Sequence, residues 1–354
     1  MNKTKLKKII FRIIDDFFEN YDKKNNNLII NNRYNCNKKI LKSQSAYNLF
    51  TPILGENFSE INDNINELVY DLKINGKGPN EYVPMDNIIS YISNGTIDAC
   101  YSGLGYSNSS KSIYHFFTSI PFSFSGMTML SWLINGGGLE KLNKLAKKDN
   151  LYMIPATLVP PETGGWTNIE IKTPDDIKKL KMRIYGLGAE VIKNMGGETI
   201  FLSQDKLIDA IEDGTINSCE FSCIEIDDFI NLPEYFNYWY YPSWNQPSTV
   251  IYYIFNLDVW NNFSINQKKL IETIIKENCY NNYLKHESTQ SIFLKKYEGK
   301  LKKFPKDVLD NMRKAFLDIL NKKENVLLKE YYDDLIDFEK KSIKYNTTML
   351  EDLF

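Results

Sequence analysis

Histidine is nearly missing from this 354-residue chain: His115 and His286 are the only two. His115 lies in an aromatic run and His286 between Lys285 and Glu287, so both read as structural and histidine-based acid–base catalysis is poorly supplied. Cysteine is sparse as well. The five (Cys36, Cys100, Cys219, Cys223, Cys279) are odd in number and scattered, which argues against a disulfide scaffold. Cys219 and Cys223 have no second Cys/His pair at zinc-ligand spacing, so buried thiols are expected. No apolar run reaches the roughly 18 residues that a transmembrane helix needs. Neither charge sign dominates: 43 Lys and Arg against 45 Asp and Glu leave a net charge of −2, no basis for nucleic-acid binding or attraction to an anionic membrane. GLGAE at 186–190 lacks the Lys-Ser/Thr of a phosphate loop, and Val191 stands where a full GxGxxG needs its third glycine.

What is present reads as a soluble α/β protein with ample core, in two domains or one long one, with 43% hydrophobic and 25% charged residues. Aromatics reach 14%, including 23 Tyr and 20 Phe, enough to line a pocket as well as fill a core. Residues 58–72 carry Ile61, Ile65, Leu68, Val69 and Leu72 at helical spacing. Residues 85–93 form a helix with Ile88, Ile89 and Ile92 inward, ended by Asn94–Gly95, and 97–102 a strand. The same helix–glycine–strand unit recurs at 207–220, and such repetition predicts α/β crossovers in two halves. A strand at 152–159 ends on Pro160–Pro161, a place for the chain to pass from one half to the other, and 249–256 (TVIYYIFN) is a return strand. Residues 264–293, 306–322 and 329–342 read as helices. The first 44 residues fit least well. A basic start at 3–8 leads into IIFRIIDDFF, where Arg12, Asp15 and Asp16 break the apolar core of a secretory signal, and 23–39 is polar linker.

The informative stretch is 180–247. Residues 181–184 alternate as a strand does, 185–188 is a glycine turn, and 189–195 a helix stopped by Gly196–Gly197. Arg183 therefore ends a strand beside a helix start, where open α/β sheets collect small ligands. Its guanidinium fork is suited to gripping a carboxylate with two parallel hydrogen bonds. Glu220 follows at a second strand-to-loop junction and an aromatic cluster, YFNYWYYPSWNQP, at 235–247. Glu220 cannot face a bound carboxylate unaided, because two anions in a dry cleft repel; a cation between them removes the conflict. Trp166, Tyr101, Tyr106, Tyr240, Tyr241 and Trp244 are candidates for the apolar walls.

In order along the chain, SNGTIDACYSG (93–103), SIPFSFSG (119–126), NGGG (135–138), GGW (164–166), DDIKKLKMRIYGLGAEV (175–191), GTINSCEF (214–221) and YYPSWNQPST (240–249) resemble landmarks of the solute-binding proteins of TRAP transporters. The likeness is greatest to the branch that captures 2-oxo acids or lactate with a metal ion, and it covers about residue 45 to the end.

The resemblance implies a two-lobed fold of the periplasmic-binding-protein type II kind with a hinge and long C-terminal helices. The division expected is an extension at 1–44, a first lobe of 45–158 plus 250–300, a second of 159–249, and C-terminal helices at 301–354. It further implies a small organic carboxylate held by Arg183, a bridging Na⁺ or Ca²⁺ held by Glu162, Glu220, the Phe221 carbonyl and Gln246, and no chemistry performed. The family pattern has Gln at the first and Glu at the last of these side-chain positions; here they are exchanged, so the charge of the cage is unchanged. Hard oxygen donors of this kind suit either cation. TRAP membrane subunits are the implied partners, together with a homodimer through an exchanged C-terminal helix. A periplasmic location is implied too, against which the broken signal region leaves three readings: lost export, a degenerate signal or a misplaced start. A non-transporting carboxylate sensor, a relic of such a receptor, and an enzyme are the rival functions; the last would need a general base near Arg183 that the three cleft loops do not supply.

Overall fold

The computed structural model describes residues 38–106, 112–202 and 204–350. The signal region and Cys36 lie outside the described residues. Two sheets carry the fold. The first has the order β2-β1-β3-β10-β4, from β1 (Lys39–Ser45), β2 (Leu72–Lys77), β3 (Ala99–Ser102), β4 (Leu151–Val159) and β10 (Thr249–Asn256). β1, β2 and β3 run parallel through helical crossovers, whereas β10 enters antiparallel between β3 and β4. All eight residues of β10 are buried, as a strand covered on both faces must be. The crossovers include α1 (Gly55–Leu68), which buries Phe58, Ile61 and Ile65, and α2 (Ile88–Ser93). α3 (Ser112–Thr118), α4 (Gly126–Asn135) and α5 (Gly138–Ala146) follow before β4.

β1 corrects the expected boundary. Lys39–Ser45, within the expected extension, belongs to the first sheet, where Leu41 and Ser43 are buried and the strand pairs with β2 and β3.

The second sheet has the order β11-β9-β5-β8-β6-β7. Its strands are short: β5 (Trp166–Thr167), β6 (Lys181–Arg183), β7 (Glu198–Ile200), β8 (Ser218–Cys219), β9 (Tyr238–Tyr241) and β11 (Leu301–Lys303). The acidic turn before β6 starts as its sequence demands, with Pro174 in first position and reciprocal Thr173–Asp176 capping. The glycine turn after β6 is the first turn of α6 (Gly186–Asn194) itself, with Gly186 at φ +64°, where a Cβ is unfavourable. α7 (Leu207–Glu212) precedes β8 and α8 (Ile224–Phe229) follows it.

Four segments join the two halves: 160–165 between β4 and β5, 242–248 between β9 and β10, the 33-residue helix α10 (Ile265–Tyr297), which follows α9 (Leu257–Asn261), and 321–325 between the last two helices. α10 opens on a Ser264–Gln267 capping box and is about 50 Å long by helical rise. Its first half buries Ile271, Ile274, Ile275 and Cys279 against α1 and β4; its second half reaches α8. There Glu225 accepts hydrogen bonds from His286 (3.0 Å), Thr289 (2.6 Å) and Gln290 (2.9 Å).

The C-terminal elements divide between the halves instead of standing apart. β11 pairs with β9 and α11 (Lys306–Leu320) packs on α6, while α12 (Val326–Leu350) returns to α3 and α4. There Asp334 accepts from the Trp132 indole at 3.0 Å and pairs with Lys141 at 2.5 Å. The four described cysteines are buried free thiols.

Candidate functional site

Sheet register assembles the site. β6 and β8 run parallel with Arg183 opposite Cys219, so Arg183 and Glu220 leave adjacent strand ends together, and the Glu220 amide donates to the Arg183 carbonyl at 2.9 Å. The two crossing loops are bonded to each other and to the turn after β8. Glu162 N–H donates to Gln246 O at 3.1 Å, Thr163 N–H to Ser222 O at 3.0 Å, and the Trp244 indole to Gly164 O at 3.1 Å. Four side chains thereby meet at the junction of the halves: Arg183, Glu220, Glu162 and Gln246, respectively 1%, 0%, 5% and 6% exposed.

Gln246 is the hub. Its Nε2 donates to Glu162 Oε2 and to Glu220 Oε1, each at 3.0 Å, while its Oε1 accepts from Thr249 at 3.2 Å and faces the Tyr185 hydroxyl at 3.5 Å. Arg183 donates from Nε to Leu202 O at 3.1 Å and from an η-nitrogen to Glu220 O at 2.5 Å, and lies 3.7 Å from Glu220 Oε2. Its guanidinium lies over the Phe221 ring, 4.9 Å from the centroid. Glu220 Oε2 has no hydrogen-bond partner among the described residues.

Two carboxylates this close and this dry repel, and Arg183, 3.7 Å from Glu220 Oε2, is placed to offset the charge of Glu220. Burial, and then the Glu220 carboxylate, push the Glu162 carboxyl well above the ordinary carboxylate range. Asp227, fully buried, accepts from the Trp166 indole at 2.6 Å, Thr163 Oγ1 at 3.3 Å and Ser222 N–H at 3.0 Å. Burial raises its pKa as well, with the Trp166 hydrogen bond acting the other way. No feature of the acidic run in IEIDDF says which acid turns inward, so sequence reasoning misses Asp227. Among the described residues no group of three or more His, Cys, Asp or Glu side chains is placed to hold a metal; the set here is two carboxylates and an amide.

The expected aromatic walls are elsewhere. Trp166 is core of the second half, stacked on Trp239 at 5.5 Å with its indole on Asp227. Tyr101 is core of the first, its hydroxyl bonded to Thr157 and its ring against Phe58. Trp244 lies against Phe122 and, with Tyr240, lines a small apolar cavity beside Ile177 and Met182. Tyr241 is 41% exposed, at the end of its strand. Of Tyr106 only the backbone is described.

The cleft around Arg183 is lined instead by Tyr47, Leu54 and Ile251 from the first half and by Tyr185 and Phe221 from the second. A Tyr two residues after a strand-end arginine was the available signal for Tyr185; nothing local marks Tyr47 or Leu54.

Comparison with known proteins agrees with this architecture. The profile of the family described as bacterial extracellular solute-binding protein, family 7, matches residues 70–325. A monocarboxylate 2-oxoacid-binding periplasmic protein of Nostoc is 25% identical over 279 residues, 77% of each chain. A TRAP transporter solute-binding protein of Bordetella bronchiseptica, a dimer with calcium and picolinate in its active site, superposes with a TM-score of 0.83 at 22% identity, over 89% of this chain and 96% of its own. One from Colwellia psychrerythraea with bound calcium and pyruvate also gives 0.83 at 22% identity, over 88% and 97%. Likeness at that identity speaks for the shared two-lobed fold.

Proposed function

Because the chain belongs to the family 7 extracellular solute-binding proteins, the non-enzymatic receptors of TRAP transporters, we propose that the junction of its two lobes captures a small 2-oxo or 2-hydroxy acid such as pyruvate or lactate together with a Na⁺ or Ca²⁺ ion. The observation that carries this reading is the convergence of Arg183 with Glu162, Glu220 and Gln246 in one dry junction. Arg183 is the one guanidinium there and grips the ligand carboxylate. The two glutamates and the Gln246 amide are hard oxygen donors, a set that fits the cation. Glu220 Oε2, buried without a hydrogen-bond partner among the described residues, is the atom that gains most from it. To hold the cation Gln246 would have to present its amide oxygen, where it now directs Nε2 at both glutamates. The cation supplies the positive charge that lets glutamates and ligand oxygens share one site. The family is extracytoplasmic, and among the described residues no helix is long and apolar enough to cross a membrane. We assign delivery of the ligand to the membrane subunits of a TRAP transporter on the same footing; pairing of two copies through the C-terminal helix is a further reading, supported by the dimeric Bordetella relative.

Thermal unfolding against pyruvate, longer 2-oxo acids and lactate, each with and without Na⁺ or Ca²⁺, tests this. A ligand at about 100 times its Kd adds about 2.7 kcal/mol to stability. A raised midpoint that needs both acid and cation is the expected result. A folded protein that no acid shifts would contradict the reading and favour the relic.

A further inference from the structure

On the other side of Tyr185 from Arg183 lies a second small pocket between the lobes. His115 and Thr118 of α3 face it from the first lobe, Gly186 and Gly188 of α6 from the second, and Asn245 from the crossing loop. Tyr185 lines both this pocket and the Arg183 cleft, and Gln246 borders it too, so the two spaces are neighbours. Both polar atoms of the Asn245 side chain, 2% exposed as a residue, lack a hydrogen-bond partner among the described residues, and so does His115 Nε2. An amide with donor and acceptor both unmade is costly in a core. The glycines keep the space open. A Cβ at Gly186 would stand 3.7 Å from His115 Nδ1, and one at Gly188 would stand 3.3 Å from the Asn245 Cβ.

We propose that this pocket is a second subsite of the ligand cleft, which takes an uncharged hydroxyl or amide group at the far end of a 2-oxo acid longer than pyruvate. This rests on the function proposed above. The chemistry follows from the lining. Asn245 offers one donor and one acceptor, the complement of a hydroxyl or a primary amide. Among the described residues no Lys or Arg lines the pocket, and burial holds the His115 imidazole below its usual pKa, so a terminal carboxylate would be buried there without a counter-charge from them. An alkyl end would leave the Asn245 amide unmade.

The test is calorimetric titration, with calcium present, of 2-oxopentanoate, its 5-hydroxy derivative and 2-oxopentanedioate, with pyruvate as reference. These are titrated into the wild type, Asn245→Leu and His115→Phe. The wild type is expected to bind the hydroxyl acid about ten-fold or more tighter than the other two five-carbon acids, because a site built to bond a hydroxyl rejects analogues lacking it. In both variants that preference should fall to about two-fold while pyruvate affinity is kept. Equal binding of the three acids by the wild type overturns the proposal, as does a preference that survives both substitutions. Loss of pyruvate together with the longer acids in Asn245→Leu also overturns it, by making Asn245 a support for Gln246. Failure of every acid, pyruvate included, on folded wild type overturns the function proposed above and the subsite with it. If neither variant folds, the order of the three acids on the wild type decides alone.

Discussion

Replacing Arg183 by lysine keeps the charge and removes the fork, which makes it a sharp probe of the carboxylate site. In the wild type the guanidinium spends Nε on Leu202 O and an η-nitrogen on Glu220 O while its plane lies over Phe221. A planar group held in this way offers a ligand carboxylate N–H donors in its own plane; a lysine ammonium has one nitrogen for the same tasks. One charged hydrogen bond to the ligand should be lost, worth about 1.5–3 kcal/mol. At about 1.4 kcal/mol per decade, the Kd for pyruvate rises about ten- to a hundred-fold. The ligand-free variant should also lose about 1–3 kcal/mol, because one of the two carbonyls is left unbonded in the core. Calorimetric titration gives the first quantity and urea unfolding the second. A variant that folds and binds pyruvate within about two-fold of the wild type would refute the assignment of Arg183 as the carboxylate anchor.

Three further outcomes follow from the same geometry. Glu220→Gln keeps the shape but removes a carboxylate oxygen from the cation set, so acid binding should lose most of its dependence on added calcium; a titration retaining full cation dependence would count against the bridge. Asp227→Ala strands the Trp166 indole and the Ser222 amide, and should destabilise by about 3–5 kcal/mol as a broken buried network does; a denaturant midpoint unchanged from wild type would show that Asp227 is no anchor. Burial pushes the Glu225 carboxyl up, but hydrogen bonds from His286, Thr289 and Gln290 outweigh it, so its pKa in the folded protein is below the ordinary value of about 4.3. Its contribution to stability is thus present above that value and is lost as pH falls through the folded value. The stability gap between wild type and Glu225→Gln should accordingly hold above about pH 4.3 and shrink as pH falls below it, and a constant gap in acid urea melts would contradict this.

The α/β class, the two crossings and the ends of most helices were legible in the chain because each rests on a local signal. Pro160–Pro161 stops β4, Asn94–Gly95 stops α2, and apolar spacing marks α1 and α10. The strand-end position of Arg183 was legible for the same reason. The aromatic walls were not. Trp166, Tyr101 and Trp244 are instead turned away from the cleft by partners distant in sequence: Asp227 for the Trp166 indole, Thr157 for the Tyr101 hydroxyl and Phe122 for the Trp244 ring. The lining that replaces them, Tyr47, Leu54 and Ile251 against Tyr185 and Phe221, comes from opposite lobes and depends on how those dock, which no short stretch encodes. β1 was hidden because ILKSQS carries a lysine and polar residues, and its burial comes from lying between two parallel neighbours.

The central claim is that a 2-oxo acid and a cation occupy the lobe junction together. Titration of pyruvate into protein stripped of divalent metal, in potassium buffer, then repeated with calcium and with sodium, tests it most directly. Joint occupancy predicts an affinity at least about ten-fold weaker without either ion, since the ligand carboxylate would then meet the buried glutamates with no cation but Arg183 among the described residues of the cleft. Equal pyruvate affinity in all three buffers would contradict it.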